Sequence, residues 1–300
     1  MKSDVLPRIL SFAFLAAGLT AVVPADATVI TYPNFSSTAG LMFGGNATTA
    51  TTSDGAVLRV TPATYNQAGS VFSSAGVDIN GTNRYFSTVF QFRFSNTGGY
   101  SPSGGSDGMT FTFQPTNSAP VGGWGGGLGY LGIPHSVAVE IDTFNNNTFG
   151  IPENDDNHVS IDTNGNLNDL FLTNPYGVTN CPAPYGCLND GDLWTVWIDY
   201  NGTNLQVALA DNSSIRPANI IDAPIDLAGV LGASTAYVGF TAGTGAGYQN
   251  HDIVNWEYSS VIDSPPSSNT VPEPASIALV GLGLVGIGFA RRKRKEFVPH

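Results

Sequence analysis

Acidic and amide residues alternate along one short apolar run near the middle of the chain. The run reads Val-Ala-Val-Glu140-Ile-Asp142-Thr-Phe144-Asn-Asn146 and begins at Val137. On a β-strand these four numbered residues share one face, because successive side chains point to opposite faces. Two carboxylates held side by side repel each other unless a cation lies between them. The spacing therefore predicts a cation site, with a solvated acidic loop as the alternative.

Further candidate ligands follow this run. They are Glu153, Asp155, Asp156 and His158, the last of which begins a second strand-like run. Carboxylate and amide oxygens suit Ca²⁺, whereas a histidine nitrogen suits a transition ion. The residues therefore predict Ca²⁺ and allow a second ion, such as Mn²⁺, beside it.

Strands rather than helices are expected to position these residues. The 300-residue chain contains 36 Gly and 19 Pro and is only 11% charged. Apolar and polar residues alternate in short runs, which predicts strands with one face in a core and the other in solvent. The sum predicts an all-β, single-domain antiparallel β-sandwich of jelly-roll size over residues 28–262. The runs lie at residues 86–94, 109–113, 137–144, 159–161, 193–200, 205–209, 236–241 and 253–258.

The N-terminal segment predicts a secretory signal peptide over residues 1–27. Lys2 and Arg8 precede an apolar stretch, Ile9–Val23, which ends in the small-x-small sequence Ala25-Asp-Ala27. This order is typical of a leader that is cleaved, here after Ala27. An uncleaved N-terminal anchor is the alternative.

The C-terminal segment predicts a sorting signal over residues 271–300. It joins Val271-Pro-Glu-Pro274, an apolar stretch Ala275–Ala290 and a basic cluster Arg291–Lys295, after a Pro/Ser linker at residues 263–270. The three parts resemble the PEP-CTERM sorting tail of Gram-negative bacteria. That resemblance implies recognition by export and sorting machinery, removal of the tail, and a final location in the extracellular matrix or on the outer cell surface. A plain tail anchor is the alternative.

Charge and cysteine content restrict the partners and the compartment. The net charge is −12, and the region from residue 28 to residue 290 contains no lysine and four arginines. Nucleic-acid binding is excluded, because it needs clustered cations to neutralise phosphates. Cys181 and Cys187 bracket a short loop and predict a local structural disulfide, which suits an exported protein.

Several motifs in the same order resemble one known family. The run from Val137 and the following His158-Val-Ser-Ile-Asp162-Thr-Asn164 resemble the metal-binding core of legume-type (L-type) lectins. The resemblance extends over about residues 34–260 and implies a concanavalin A-like jelly roll. The other matching stretches are Gln67–Phe72, Phe86–Phe90, Asp107–Pro115, Gly129–Ile133, Tyr237–Gly245 and His251–Trp256.

The resemblance also implies a set of metal ligands. Glu140, Asp142 and His158 would hold the transition ion, while Asp142, the Phe144 carbonyl and Asn146 would hold Ca²⁺. A shared carboxylate in the family is an Asp-Pro that precedes the histidine by five or six residues. The corresponding residue here is Glu153, and Asp155 is the competing candidate.

The sugar site implied by the resemblance uses four loops. Asp107 would accept hydrogen bonds from two sugar hydroxyls, and the Ser106–Asp107 peptide bond would be cis. The other implied contributions are a backbone N–H from Gly129, a side-chain amide from Asn146, an apolar face from Phe144 and specificity positions at Ala246 and Gly247.

The combined prediction is a secreted, non-catalytic lectin that binds glycans or exopolysaccharide. A matrix or adhesion scaffold is one alternative, and a jelly-roll glycoside hydrolase is the other. Retaining hydrolysis requires a pair of carboxylates acting as acid and nucleophile. The related β-glucanases carry a further carboxylate just after the Glu-x-Asp strand, whereas Glu140-Ile-Asp142 is followed here by Thr-Phe-Asn-Asn146.

Overall fold

The computed structural model describes residues 28–80, 85–99, 105–151, 156–167, 170–171 and 187–261. Both terminal signals, the linker, Cys181, Glu153 and Asp155 lie outside the described residues. The strands are β1 (Val29–Tyr32), β2 (Leu41–Gly45), β3 (Thr48–Thr52), β4 (Gly55–Thr61), β5 (Ala68–Ser73), β6 (Val77–Asp78), β7 (Tyr85–Gly99), β8 (Gly108–Gln114), β9 (Val137–Asp142), β10 (His158–Thr163), β11 (Trp194–Asn201), β12 (Asn204–Asp211), β13 (Ile221–Pro224), β14 (Thr235–Gly243) and β15 (Gly247–Val261).

These strands form two antiparallel sheets, which confirms the predicted β-sandwich. The back sheet has the order β13-β12-β11-β7-β15-β4-β3, with β1 also paired to β15. The front sheet has the order β10-β9-β8-β14-β5-β2, with β6 also paired to β14. Neighbours that are distant in sequence identify the connections as crossovers between sheets, as expected of a jelly roll.

Aromatic side chains fill the space between the two sheets. Phe90 on the back sheet lies 5.0 Å from Phe240 and 5.7 Å from Phe111 on the front sheet, measured between ring centroids. Trp256, from the back sheet, lies 5.1 Å from Phe240. Edge-to-face and offset contacts at these distances add to the stabilisation from burial. The alternating aromatics of β7 and β8 thus belong to one core.

The outer face of the front sheet is buried, contrary to the prediction of one solvated face per strand. Every residue of β8 and β9 is buried. A glycine-rich segment, residues 122–133, lies over this face and is called the covering loop. The Thr241 hydroxyl donates to the Leu128 carbonyl of this loop at 2.8 Å. Leu128 and Tyr130 pack with Ala138 in a second small apolar cluster. Polar residues on this face therefore lie beneath a loop rather than in water.

Four strand ends of the front sheet meet at one edge. Gly243 of β14 pairs with Gly108 of β8, Gly108 pairs with Asp142 of β9, and Asp142 pairs with His158 of β10. The loops that leave these strands, together with the covering loop, must converge there. This edge positions the candidate site.

Helical structure is minor in the described part of the chain. One α-helix, α1 (Leu227–Leu231), is five residues long, and the Asp226 side chain accepts a hydrogen bond from the Gly229 N–H at its start. Across the described residues, no helix is both long enough and apolar enough to span a bilayer.

Candidate functional site

Glu140, Asp142 and His158 meet at the strand edge as the sequence spacing suggested. One ligand atom from each lies within 4.8 Å of the others, and all three side chains are buried. The His158 Nε2 atom lies 4.0 Å from Glu140 Oε2. Antiparallel pairing explains the approach, because His158 is opposite Asp142 in the register. Two carboxylates and an imidazole are a donor set for a divalent cation.

A third carboxylate, Asp162, lies beside this group. Ser160 links the two acids, since its hydroxyl lies 2.7 Å from Glu140 Oε2 and 3.1 Å from Asp162 Oδ2. Burial, and then the neighbouring Asp162 and Asp142 carboxylates, hold the pKa of Glu140 well above its ordinary value. Neither Ser160 nor Asp162 was predicted as a site residue, although both belong to the His158–Asn164 motif. The pattern of one polar residue every second position was the available signal.

A divalent cation fits these residues. Glu140 Oε1 is buried and has no hydrogen-bond partner among the described residues. A buried carboxylate oxygen without a partner is costly, and a cation would supply the missing interaction. The raised pKa of Glu140 has the same origin, because like charges are crowded together in a buried region.

Strand β9 ends earlier than predicted. The alternating run suggested a strand through Phe144, but β9 ends at Asp142. Thr143 still bonds to the segment before β8, because it donates from both its N–H and its hydroxyl to the Asp107 carbonyl. The chain turns immediately afterwards, where the Phe144 N–H donates to Asp142 Oδ1 at 2.5 Å in a local turn. Phe144 and Asn146 therefore reach the site from a loop rather than from the strand face that carries Glu140.

The turn after β9 brings Asn146 to Asp107. The Asn146 Nδ2 atom donates to Asp107 Oδ1 at 3.3 Å. Both side chains are buried, with 5% and 3% of their surface exposed. Burial raises the pKa of Asp107 to about 7, and the hydrogen bond from Asn146 opposes that shift. The Ser106–Asp107 peptide bond is cis, as the family resemblance implied.

A pocket of about 500 Å³ opens above this pair. Asp107 and Asn146 lie at its polar side, and the half-buried Phe144 lines it together with Trp124 and Phe149. Ala246 and Gly247, from the loop between β14 and β15, also line it. Five of the six predicted sugar-site residues therefore surround one cavity. From the sequence, Trp124 is a candidate for stacking on sugar, with an exposed loop aromatic as the alternative, and it lines the pocket. Lining residues that sequence reasoning did not assign are Asn66, Ser106, Gly125, Gly126, Gly127, Leu131, Phe149, Gly150, Ile151 and Gly245.

Gly129, the sixth predicted sugar-site residue, lies away from the pocket. Its N–H donates to the Gly123 carbonyl at 2.7 Å. A Cβ atom at this position would lie 2.6 Å from the Ala242 carbonyl oxygen, so main chain packs closely around it. The donor that the resemblance assigned to sugar is already used inside the covering loop. In this structure the Gly129 N–H is therefore directed into the covering loop and not at the pocket.

Gly126 occupies the place beside Asn146 instead. A Cβ atom on Gly126 would lie 2.4 Å from the Asn146 side-chain nitrogen, closer than any side chain can approach. Gly126 belongs to a short 3₁₀ turn, Gly125–Gly127, that lines the pocket. The sequence signal was the run of three glycines, which sequence reasoning passed over in favour of the following Gly-Tyr-Leu-Gly motif.

Among the predicted site residues, the shared metal ligand and one of the two cysteines fall outside the described residues. Glu153 and Asp155 precede Asp156 and His158, where the described chain resumes. Cys181 is likewise outside, so its disulfide with Cys187 stays a prediction. The choice between Glu153 and Asp155 as a shared ligand also stays open.

Comparisons with known proteins agree with this geometry. The legume lectin domain matches residues 27–274, and the PEP-CTERM protein-sorting motif matches residues 270–295. Anti-H(O) lectin 1 from Cytisophyllum sessilifolium is 27% identical over 242 residues, which cover 76% of this chain and 93% of the relative. The structure of basic winged bean lectin with Tn-antigen has a TM-score of 0.63 and 25% identity, and the match covers 79% of this chain and all of that one.

Larger relatives share only the lectin region. The probable L-type lectin-domain containing receptor kinase VII.2 of Arabidopsis thaliana is 32% identical over 185 residues, which cover 58% of this chain. The match spans only 26% of that kinase, so the likeness is confined to its lectin part. These matches support a carbohydrate-binding function, and the sorting motif indicates export by a Gram-negative bacterium. The chain belongs to the legume lectin family and ends in a PEP-CTERM sorting motif.

Proposed function

We propose that the pocket beside Asp107 binds a sugar and that the protein acts, without catalysis, as an exported lectin. The observation that carries the proposal is the buried Asp107–Asn146 pair at the base of a pocket with apolar walls. An acceptor and a donor held together beside aromatic rings match the alternating hydroxyls and C–H faces of a pyranose.

Each side chain has a defined task in this proposal. The Asp107 carboxylate accepts from two sugar hydroxyls, because Oδ2 is buried without a hydrogen-bond partner among the described residues. The Asn146 side-chain amide donates one hydrogen bond to Asp107 Oδ1 and a second to a neighbouring sugar oxygen. Gly126, rather than Gly129, brings main chain to the sugar. Phe144 offers an apolar face, while Ala246 and Gly247 border the sugar and leave its identity open.

Metal binding next to the pocket would preorganise it. Glu140, Asp142 and His158 would hold a transition ion such as Mn²⁺, and Asp142, the Phe144 carbonyl and Asn146 would hold Ca²⁺. Such ions would neutralise the crowded carboxylates and fix the loop that carries Asn146. The sugar then contacts protein groups whose positions are set in advance.

The distribution of acids favours binding over hydrolysis. Asp107 is the one acidic residue among the described residues that line the pocket. Retaining and inverting glycosidases both need a pair of carboxyl groups flanking the sugar bond. Glu140, Asp142 and Asp162 are buried in the sheet, away from the pocket lining.

Export would place this site outside the cell. The leader at residues 1–27 and everything after about Pro274 would both be removed, so that the mature protein begins near Thr28 and reaches the matrix or outer surface. The partners there would be glycans or exopolysaccharide. Intact mass of the exported protein tests this step, and a species that retains Arg291–Lys295 would contradict it.

A glycan array, run with Ca²⁺ and Mn²⁺ and again with EDTA, tests the function. We expect binding to a restricted set of glycans that disappears with EDTA and in Asp107→Asn. Binding that EDTA leaves unchanged would contradict the metal-preorganised site. A folded, metal-loaded protein that binds no glycan would favour the matrix scaffold, and release of sugar from oligosaccharides would favour the hydrolase.

A further inference from the structure

A buried chain of hydrogen bonds runs from the back sheet to the candidate sugar site. His251 and Gln249 lie on β15, and both are fully buried. The Gln249 Nε2 atom lies 3.0 Å from the Thr143 hydroxyl and 3.2 Å from His251 Nε2. The Thr143 hydroxyl in turn donates to the Asp107 carbonyl. Three side chains thus connect the interior to the main chain of Asp107, which is proposed to bind the sugar.

The donors in this chain can be assigned. A glutamine Nε2 can only donate, so it gives one hydrogen to Thr143 and the other to His251 Nε2. His251 Nε2 must then accept, which places the imidazole proton on Nδ1. That proton reaches the Thr61 hydroxyl, which lies 2.7 Å away. This tautomer requires a neutral ring, and burial lowers the pKa of His251 to about 3.

The chain of hydrogen bonds ends on the main-chain carbonyl of Asp107. The Asp107 carbonyl accepts from the Thr143 N–H at 2.9 Å as well as from its hydroxyl, and the Asp107 N–H donates to the Gly243 carbonyl at 3.1 Å. Among the described residues, Thr143 therefore supplies the hydrogen bonds to the Asp107 carbonyl, and Gln249 orients the Thr143 hydroxyl. The direction of the Asp107 carboxylate depends on these bonds.

We infer that Gln249 is a positioning residue for Asp107, acting through the Thr143 hydroxyl, and that His251 fixes the orientation of Gln249. This inference rests on the proposed sugar site, because Asp107 is its acceptor. Neither Gln249 nor His251 lines the pocket. Their effect on sugar affinity is therefore indirect and works through the geometry of one loop.

The test compares Gln249→Met with Gln114→Met. Gln114 is a matched control, because it is also buried and its Nε2 donates to two oxygens, the carbonyls of Thr116 and Ser118. It lies at the opposite end of β8 from Asp107. Amide hydrogen exchange at Asp107 and Thr143 is measured in the protein with Ca²⁺ and Mn²⁺ present. Amides of β11 report the general loss of stability.

We expect Gln249→Met to accelerate exchange at Asp107 and Thr143 roughly five- to tenfold relative to β11, the loss of about one hydrogen bond. Gln114→Met should leave that ratio unchanged. Thr143→Val should resemble Gln249→Met, and Thr143→Ser, which keeps the hydroxyl, should restore slow exchange. Equal ratios in the two methionine variants would reduce Gln249 to a structural residue and overturn the inference.

Sugar affinity supplies the second readout. Methyl glycosides of galactose, N-acetylgalactosamine, mannose, glucose and fucose are titrated into each variant at saturating metal. We expect Gln249→Met to weaken binding of the best of these by a similar factor while metal affinity is unchanged. If no glycoside binds to the unaltered protein, the proposed function fails, and the exchange ratios still decide the role of Gln249.

Discussion

Gly126 packs so closely against Asn146 that no side chain fits between them. A Cβ atom on Gly126 would lie 2.4 Å from two atoms of the Asn146 amide group. Asn146 is also the donor to Asp107 Oδ1. The covering loop therefore sets the position of the amide from one side, while Asp107 sets it from the other.

This contact makes Gly126→Ala a selective test of the site. The added methyl group must displace Asn146, so we expect a loss of glycan binding of about tenfold or more, the equivalent of one strong hydrogen bond. Gly127→Ala is the control, because its Cβ would meet Leu131 at 3.3 Å, a contact that a small shift can relieve. Titration with a glycan from the array measures both. Equal losses in the two variants would indicate a general effect on the loop.

Replacing Glu140 should have opposite effects with and without metal. The raised pKa of Glu140 arises from burial beside Asp162 and Asp142, so Glu140→Gln relieves repulsion in the metal-free protein. We expect the melting temperature in EDTA to rise by about 2–4 °C, the shift that corresponds to roughly 1 kcal/mol in a domain of this size. With Ca²⁺ and Mn²⁺ the variant should melt below the unaltered protein, because it loses stabilisation by metal binding.

Thermal unfolding in the two buffers measures this reversal. Asp222→Asn is the control, since Asp222 is exposed on β13, away from the strand edge. That variant should show the same metal-dependent rise in melting temperature as the unaltered protein. A Glu140→Gln variant that keeps the full rise would contradict a role for Glu140 in metal binding.

The shared carboxylate can be identified by paired substitutions. Glu153 has the five-residue offset before His158, and its extra methylene would let it reach across a long loop. We expect Glu153→Gln to weaken Ca²⁺ and glycan binding together, with Asp155→Asn having little effect. Calorimetric Ca²⁺ titration and the glycan array check each variant. The reverse result would move the ligand to Asp155.

Local sequence patterns predicted the strands in which apolar residues recur at every second position, because successive side chains of a strand point to opposite faces. The Phe86–Phe94 run predicted the aromatic face of β7, and the spacing of Glu140, Asp142 and His158 predicted a cluster that the register of β9 and β10 brings together. Both follow from the fixed period of a strand.

Features that depend on loops were predicted less well. The turn after β9 is made by a bond from the Phe144 N–H to Asp142 Oδ1, and it is tied by Thr143 to Asp107, which is 36 residues earlier in the chain. The choice between Gly126 and Gly129 depends on which main-chain groups approach each glycine, and a run of glycines carries no side-chain pattern to distinguish them. Burial of the outer face of β8 likewise comes from a segment outside the strand itself.

Trp124 should contribute to glycan binding but little to stability. It lines the pocket with 61% of its surface exposed, which is unusual for a tryptophan. Trp124→Ala removes an apolar wall, and we expect glycan affinity to fall about three- to tenfold, the range of one aromatic contact. The melting temperature should stay within about 1 °C, because surface substitutions have small effects. Ile215→Ala, at a site 80% exposed and outside the pocket lining, is the control and should leave affinity unchanged.

The buried imidazole of His251 should make stability depend on pH. Burial lowers its pKa to about 3 in the folded protein, whereas an unfolded chain has a value of about 6.5. Below pH 6.5 the unfolded chain binds the proton first, so the stability contributed by neutral His251 is complete above that pH and is lost as pH falls toward 3. His251→Gln removes the titrating group. The free energy of unfolding of the unaltered protein minus that of His251→Gln should therefore decrease by about 1.4 kcal/mol per pH unit below pH 6.

Chemical denaturation at pH 7, 6, 5 and 4, with the exposed His135→Gln as the control for loss of an imidazole, measures this slope. A difference that is constant across the series would show that His251 takes up a proton as readily in the folded protein as in the unfolded chain, and the neutral tautomer assigned to the Gln249 chain would then not be held by burial.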